Sequence, residues 1–254
     1  MCNFMGVRVT KIQFITLKQI EKELGTLAAL AELELMKDGF RYSNSLIIRR
    51  AADNNDIEVV KAHWEFIPHW VKDMDAVKAA RKQGIPWLNA KGETILSSKM
   101  FRSAALKRRC LVLATHFFDW RHYQPEGEKK PIAYPYNIGV NDKDYFYMAG
   151  IWQPWTDKST GETMDTFAVV TTEANELMTL IHNTKKRMPT ILTEDLAYEW
   201  IMNDLTEERI QQIASYQIPS ENMWAHTIKK DFKTQEEPCV EYTYDELPEL
   251  DLAL

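Results

Sequence analysis

Cys2 is the residue of this chain whose position gives it the most distinctive chemistry. Removal of Met1 leaves Cys2 with a free α-amine and a thiol on adjacent carbon atoms. The pKa of an α-amine is about 8, against ~10.4 for lysine, so roughly a quarter of it is neutral at about pH 7.5. The neutral amine forms an imine with an aldehyde, and the thiol then closes a five-membered thiazolidine ring. An amino-terminal Cys2 is therefore predicted to trap aldehydes, the alternative being a chance cysteine in an N-terminal strand.

Asn89, Asp119 and His182 are further candidates for chemistry. Asp119 stands between aromatic residues on a predicted strand, where an unpaired buried carboxylate is costly, so it either faces solvent or serves a site. His182 lies near the end of a predicted helix and suits acid or base chemistry near neutral pH. The alternatives are a structural role for His182 and a hydrogen bond to backbone in a turn for Asn89.

Aromatic and basic residues are interleaved in two segments. Trp64 and Trp70 bracket a proline, and residues 99–109 contain Lys99, Arg102 and three further cations with no acidic residue. This combination is typical of single-strand binding, in which bases stack on aromatic rings and phosphates meet cations. The alternative, stronger for Trp64, is that the tryptophans belong to the core.

The elements that must position these side chains are short strands with a few helices. Strands are predicted over 2–10, 45–50, 57–67, 110–114, 117–123, 132–138, 145–152, 166–172 and near 224–228, and helices over 17–37, 98–107, 174–182, 194–203 and 206–215. This pattern predicts an α+β single domain with a curled, largely antiparallel, barrel-like β-sheet flanked by helices.

The composition is that of an ordinary globular protein, with 254 residues, 45% hydrophobic and 27% charged. No apolar run approaches the ~20 residues of a transmembrane helix, and no signal-peptide pattern is present. The three cysteines form no CxxC pair, which disfavours a zinc ribbon or a disulfide framework. A cytoplasmic protein without a membrane partner is expected.

The net charge of −6 is unevenly distributed. Residues 236–254 hold seven acidic and no basic residues, so residues 1–235 carry a net charge of +1. A local basic face is therefore compatible with the composition. We predict one domain over 1–232 and an acidic C-terminal tail over 233–254, whose simplest interpretation is a solvated end.

Short motifs follow one another in order along most of the chain. They are Met1-Cys2, the Trp64–Trp70 stretch, Asn89-Ala90-Lys91-Gly92-Glu93-Thr94, Met100-Phe101-Arg102, Arg109-Cys110-Leu111-Val112, Phe118-Asp119-Trp120, Ala149-Gly150-Ile151-Trp152, the segment 167–175, Ile181-His182 and Arg187-Met188-Pro189. This ordered set resembles the SOS-response-associated peptidase (SRAP) family of abasic-site-processing proteins.

The resemblance implies binding to single-stranded DNA at abasic sites, a thiazolidine DNA–protein cross-link and removal of the chain's own Met1. Cys2 would be the nucleophile, and Asn89 would position the amine or the sugar. Asp119 matches the acidic residue beside the amine, and His182 matches the histidine that promotes sugar-ring opening and cross-link reversal. The candidate DNA contacts are a base-stacking Trp70 and the phosphate-binding Lys91, Lys99, Arg102, Lys185, Lys186 and Arg187. No metal or organic cofactor is implied, and we expect a monomer because cross-linking needs one site.

The chain also departs from the family pattern. Asp119 replaces Glu, Lys91 and Lys99 replace Arg, and Glu65 replaces Gly. Lysine keeps the charge of arginine but loses its bidentate recognition of phosphate. Further departures are Asn3-Phe4 in place of Gly-Arg after the cysteine and a spacing of five rather than two from His182 to Arg187. These changes are compatible with weaker DNA binding or a shifted substrate.

Three functions compete at this point. The first is a DNA-repair protein that cross-links to abasic sites in single-stranded DNA through Cys2. The second is a cysteine peptidase or amidohydrolase of N-terminal-nucleophile type, in which the α-amine is the base for its own thiol. The third is a single-strand-binding module in which Cys2 plays no part.

Overall fold

The computed structural model describes residues 2–8, 14–23, 34–53 and 55–251. The strands in these ranges are β1 (Phe4–Gly6), β2 (Phe14–Leu17), β3 (Ile20–Glu23), β4 (Lys37–Asp38), β5 (Asn44–Arg50), β6 (Ile57–Trp64), β7 (Asn89–Lys91), β8 (Arg109–Ala114), β9 (His116–Tyr123), β10 (Ile132–Val140), β11 (Phe146–Thr156), β12 (Thr163–Glu173), β13 (Arg187–Pro189), β14 (Ile191–Leu192) and β15 (Met223–Thr227). The α-helices are α1 (Met74–Lys82), α2 (Arg102–Lys107), α3 (Glu176–Ile181), α4 (Glu194–Met202) and α5 (Glu207–Ala214).

Five strands close into a barrel. β6 pairs antiparallel with β5, β5 with β8, β8 with β11 and β11 with β12, and β12 returns to β6 in a parallel pairing. Each strand of this ring thus has a partner on both sides, which satisfies the backbone groups that an edge strand exposes. At the margins, β7 and β13 pair with β12, and β14 pairs with β11.

A second, open sheet carries the beginning of the chain. Its order is β15-β10-β9-β1-β4, and its pairings are antiparallel. Met5 pairs with Phe117 on one side of β1, and Phe4 pairs with Asp38 on the other. Strand β1 therefore brings the chain start beside β9, the strand that holds Asp119.

Alternate residues of the barrel strands pack on opposite sides, as the period of two in a strand requires. Ile48 and Leu111 belong to a core shared with α2, α4 and α5. Their neighbours Ile47 and Val112 belong to a second core shared with the open sheet and α3. The two cores hold the barrel between the helices and the sheet that carries the site.

The predicted α+β class, the single domain and the barrel-like sheet are confirmed. The predicted strands and the helices after residue 97 also occur, with ends that differ by a few residues. The predicted helix over 17–37 is wrong where the structure describes it, because Ile20–Glu23 is strand β3 and Lys37–Asp38 is strand β4. Residues 24–33 of that prediction, and 9–10 of the first predicted strand, lie outside the described residues.

Tertiary contacts explain why the helical spacing was misleading. Thr16 in β2 donates its backbone N–H to the Tyr145 hydroxyl, and its carbonyl accepts from the Tyr147 hydroxyl. Lys18 turns the chain into β3 with a φ of 54°. The two tyrosines belong to a distant part of the chain, so local periodicity carries no information about this hairpin.

The acidic tail differs from the solvated end that its composition suggests. Tyr244, Leu247 and Leu250 pack against the second core, and Glu241 forms a β-bridge with Ile228. The domain boundary between residues 232 and 233 stays a prediction. In the described ranges, the helices fall short of the length and apolar character that crossing a membrane requires.

Candidate active site

A cleft of about 490 Å³ opens beside the start of the chain. Its lining comes from the segment before β1, from β9, from β10 and from the turn after α3. The lining residues are Asn3, Asp119, Trp120, His122, Ala133, His182, Thr184 and Lys185. Two of the predicted catalytic residues, Asp119 and His182, thus face one cavity.

Cys2 is fully buried where β1 begins. The next residue, Asn3, accepts a hydrogen bond at its carbonyl from the Gly39 backbone N–H at 2.8 Å. Burial raises the pKa of the Cys2 thiol to about 12, the positive amino terminus opposes this rise, and the negative charge of Asp119 adds to it. The thiol is therefore protonated near neutral pH and lies close to the Asp119 carboxyl.

Asn89 reaches the chain start from β7. Its Nδ2 donates to Asn3 Oδ1 at 2.8 Å. Asn89 Oδ1 is buried and has no hydrogen-bond partner among the residues that the structure describes. A buried amide oxygen in that state is a ready acceptor for an amine or a sugar hydroxyl.

Asp119 and His182 form the titratable pair of the cleft. His182 Nδ1 lies 3.5 Å from Asp119 Oδ2, and both side chains are buried. Burial raises the pKa of Asp119, against the opposing effects of the amino-terminal charge and of His182. Burial lowers the pKa of His182, against the opposing effect of Asp119. Both shifts favour the neutral forms of the two side chains.

Asn183 holds the His182 segment against β9. Its Oδ1 accepts from the His122 backbone N–H at 3.0 Å, and its Nδ2 donates to the His122 carbonyl at 2.7 Å. His182 itself lies directly after α3, with Nδ1 at 2.8 Å from the Arg187 carbonyl oxygen. Sequence reasoning missed Asn183, although its place next to a candidate histidine was a signal.

The predicted base-stacking residue is accessible. Trp70 is 54% exposed and contacts only the edge of His69 among the aromatic rings described, at a centroid distance of 5.0 Å. Trp64 is fully buried and donates its indole N–H to the Leu88 carbonyl. The preference for a core role at Trp64 is thus confirmed, and the stacking role of Trp70 stays a prediction.

The predicted phosphate contacts fall into two groups. Lys91, Lys99, Lys185 and Lys186 are exposed. Arg187 is mostly buried, binds Glu93 through both terminal nitrogens at 2.8 and 2.9 Å, and donates to the Thr171 carbonyl. Arg102 is exposed but donates to Glu207 at 2.6 Å and to the Leu96 carbonyl. The two arginines are therefore held by protein groups, whereas the lysines present their charge to solvent.

The glutamate that stands in place of a family glycine is part of a buried ion pair. Glu65 is fully buried, and its carboxylate binds Arg81 of α1, with Nη2–Oε2 at 2.5 Å. The Arg81 guanidinium lies over the Tyr42 ring at 3.8 Å. Sequence reasoning missed this pair because α1 was not predicted. A group of three or more metal-ligating side chains does not occur in the described parts of the chain.

The sequence model of the SOS response associated peptidase (SRAP) family matches residues 12–234. This chain belongs to that family. Its relatives include the abasic site processing protein YoqW of Bacillus subtilis, 29% identical over 185 residues that cover 73% of this chain and 75% of YoqW. The abasic site processing protein HMCES of Gallus gallus is 30% identical over 197 residues, which cover 71% of this chain and 55% of HMCES.

Solved structures share the fold of this chain. A crystal structure of a protein from Bacteroides thetaiotaomicron superposes with a TM-score of 0.75 at 30% identity, covering 94% of this chain and 97% of that one. A protein from Bordetella bronchiseptica superposes with a TM-score of 0.66 at 20% identity, covering 90% of this chain and 100% of that one. The second likeness shows the fold alone.

Proposed function

We propose that this chain processes abasic sites in DNA by forming a cross-link through Cys2. One observation carries the proposal. Asn89 contacts Asn3 and Asp119 contacts His182, and both contacts lie beside the beginning of the chain. The relatives named abasic site processing proteins support the same substrate. An abasic deoxyribose in its open form presents the aldehyde that an amino-terminal cysteine captures.

The chemistry needs a proton carrier at each step. After Met1 is removed, the Cys2 amine attacks the aldehyde carbon, and loss of one water gives the imine. The thiol sulfur then bonds to the same carbon while the thiol proton passes to the nitrogen, which closes the thiazolidine. The Asp119 carboxyl, whose pKa is raised by burial, suits the carrier's role next to the amine.

His182 suits the preceding step, the opening of the closed hemiacetal form of the sugar. Burial lowers the pKa of His182, so the neutral imidazole is available as a base near neutral pH. Removal of the hydroxyl proton at C1′ by that base, with protonation of the ring oxygen, releases the aldehyde. Asp119 and His182 would transfer protons in the opposite direction when the cross-link reverses and the DNA is released.

We propose single-stranded DNA as the partner. Trp70 offers an exposed ring for a base, and Lys91, Lys99, Lys185 and Lys186 offer charges for phosphates. An unpaired backbone bends into a cleft more easily than a duplex, which favours a single strand as the partner of the cleft beside the start of the chain.

The test is incubation of the purified mature protein with an oligonucleotide that contains one abasic site. A heat-resistant shifted band is expected, and Cys2→Ala should abolish it. Cys110→Ala is the matched control because it alters another fully buried cysteine. Absence of the band with mature protein, beside an active positive control, overturns the proposal.

We further propose that the chain removes the segment before Cys2 by itself. Attack of the Cys2 thiol on the Met1 carbonyl would form a thioester and break the Met1–Cys2 amide bond, which frees the Cys2 amine; water would then hydrolyse the thioester and release the thiol and the carboxylic acid of Met1. A chain carrying a short extension before Met1 should lose it on incubation, as measured by intact mass, whereas the Cys2→Ala chain should keep it. Turnover of unrelated peptides without DNA would favour the N-terminal-nucleophile peptidase instead.

A further inference from the structure

Residues 236–251 of the acidic tail wrap around the β15 edge of the open sheet. On one face, Cys239 Sγ lies 3.2 Å from His116 Nε2. At the edge, the Tyr242 backbone N–H donates to the Thr227 carbonyl at 2.9 Å. The tail is thus bound to the sheet rather than free in solvent.

On the other face, the tail reaches the two strands nearest the cleft. Tyr134 of β10 donates its hydroxyl to the Glu246 carboxylate at 2.9 Å, and Arg121 of β9 donates to the Pro248 carbonyl. Tyr134 and Arg121 are paired across the two strands and so share a face. Asp119, two residues before Arg121, lies on that face as well.

The surface beneath the tail is basic. We call the following five residues the basic strip: Arg8, Arg121, Lys229, Lys230 and Lys233. Arg8 pairs with Glu237 of the tail at 3.6 Å. Lys229, Lys230 and Asp231 line a groove of about 600 Å³ together with Asp245 and Glu246 of the tail. The charges of tail and strip are therefore complementary.

Aromatic rings lie among these cations. Lys230 Nζ is 4.6 Å from the Tyr134 ring centroid, and Lys233 Nζ is 3.9 Å from that of Phe4 and 5.7 Å from that of Trp120. Tyr134 and Phe4 are buried, so these rings hold the lysine side chains in place, and the strip would meet a single strand through its charges.

The basic strip is continuous with the cleft. Asp119 lines the cleft, and Arg121 lies two residues further along β9 on the same face of the strand. A single DNA strand that enters the cleft and continues past Arg121 would reach the surface that the tail covers. The tail also lies outside the family match, which ends at residue 234.

We propose that the basic strip is a second part of the single-stranded-DNA surface and that the acidic tail occupies it as a tethered competitor of DNA phosphates. The proposal rests on the proposed function for the identity of the ligand. A segment tethered to its own site acts at an effective concentration of about millimolar, so it lowers the apparent affinity for DNA. DNA binding then requires the tail to leave the strip.

The experiment compares two triple variants of the full chain. The tail variant carries Glu237→Gln, Asp245→Asn and Glu246→Gln, the three tail acids that contact the strip or line its groove. The control variant carries Glu162→Gln, Glu208→Gln and Asp75→Asn, which are exposed acids of the same types elsewhere on the surface. Both changes raise the net charge equally, so a general effect of charge appears in both.

Affinity for an undamaged oligothymidylate is measured by fluorescence anisotropy at low salt. The tail variant should bind about tenfold tighter than the parent and the control variant within about twofold, with the difference shrinking as salt screens the tail. Equal affinities of the two variants overturn the proposal. Cross-linking of each protein to saturating abasic DNA is measured in parallel. If the parent protein forms no cross-link, the proposed function fails, whatever the two affinities show.

A second measurement tests the strip itself. In the tail variant, Arg121→Gln and Lys230→Gln should each weaken DNA binding about threefold or more at low salt. Melting temperatures confirm that each variant is folded. Tighter binding by the tail variant that neither substitution reverses would overturn the assignment of DNA to the strip.

Discussion

Asp119 and His182 are both buried, and burial moves their pKa values in opposite directions. Each shift favours the uncharged form, and His182 Nδ1 lies 3.5 Å from Asp119 Oδ2. Asp119 is one methylene shorter than the family's Glu. Its side chain nevertheless contacts His182, and its negative charge raises the pKa of the Cys2 thiol. The contact between Asp119 and His182 is therefore suited to the proton transfers that the proposed cross-linking requires.

His182→Ala should slow cross-linking more than it weakens DNA binding. A positioned acid or base contributes about 10²-fold or more in rate, so the rate of cross-linking should fall by at least that factor. His182 is not one of the exposed residues proposed to contact DNA, so the dissociation constant for DNA should change by less than about twofold. Single-turnover rates with an abasic oligonucleotide and anisotropy with an intact one measure the two effects. An equal loss of both would make His182 a structural residue.

Trp64 and Trp70 offer a matched pair of substitutions. Trp70→Ala should weaken single-strand binding by about 1–3 kcal/mol if a base stacks there, with little change in stability because the ring is 54% exposed. Trp64→Ala should instead lower the free energy of unfolding by about 3–5 kcal/mol, since it empties a fully buried site. Urea unfolding and anisotropy distinguish them, and a Trp70→Ala protein with unchanged affinity would contradict the stacking role.

The elements around the site are held together by polar contacts between segments that are distant in sequence. His116 Nε2 of β9 lies 2.8 Å from the Leu35 carbonyl oxygen, 81 residues earlier in the chain. Burial lowers the pKa of His116 to about 4, with the hydrogen bond to Leu35 opposing the shift. This histidine therefore stays neutral in the folded protein across a range in which an exposed one would be charged.

Acid should destabilise the protein through His116. Above pH 6.5 the imidazole is neutral in both states, whereas between pH 6.5 and about 4 the unfolded chain binds a proton that the folded chain does not. The free energy of unfolding should fall by about 2 kcal/mol at pH 5 from this group. His116→Gln keeps a donor toward Leu35 but does not titrate, so urea unfolding at about pH 7.5 and pH 5 should show a smaller acid loss. An identical loss in the variant would contradict the assignment.

At the scale of the whole molecule, the closed barrel sets how closely its strands approach. Gly150 of β11 pairs with Cys110 of β8. A Cβ built at Gly150 would lie 2.8 Å from Cys110 Sγ and 3.2 Å from a Val112 methyl group. The barrel cannot open an edge to relieve such a contact, because each of its strands is paired on both sides.

Gly150→Ala should lower the free energy of unfolding by about 1–3 kcal/mol through overpacking. The double variant Gly150→Ala, Cys110→Ala removes the nearest atom and should recover part of that loss. Thermal and urea unfolding give the free energies of unfolding of Gly150→Ala, Cys110→Ala and the double variant, which together complete a double-mutant cycle. Additive losses would show that the contact with Cys110 Sγ is not the cause.

The fold class and most strands were predictable because strand alternation and turn residues are local properties of the sequence. The identity of Cys2 and the order of the motifs around Asn89, Asp119 and His182 were equally visible, since they depend on residue type and spacing alone. The sequence therefore indicated the family, and it predicted Cys2 as the nucleophile, which stays a prediction.

Only the tertiary structure decided which distant residues meet. It placed Asp119 against His182, turned residues 20–23 into a strand, and directed Arg187 to Glu93 rather than to solvent. It also laid the acidic tail on a basic surface, where composition alone suggested a solvated end. These contacts join segments far apart in the chain, and their free energies depend on burial and on partners that local periodicity does not encode.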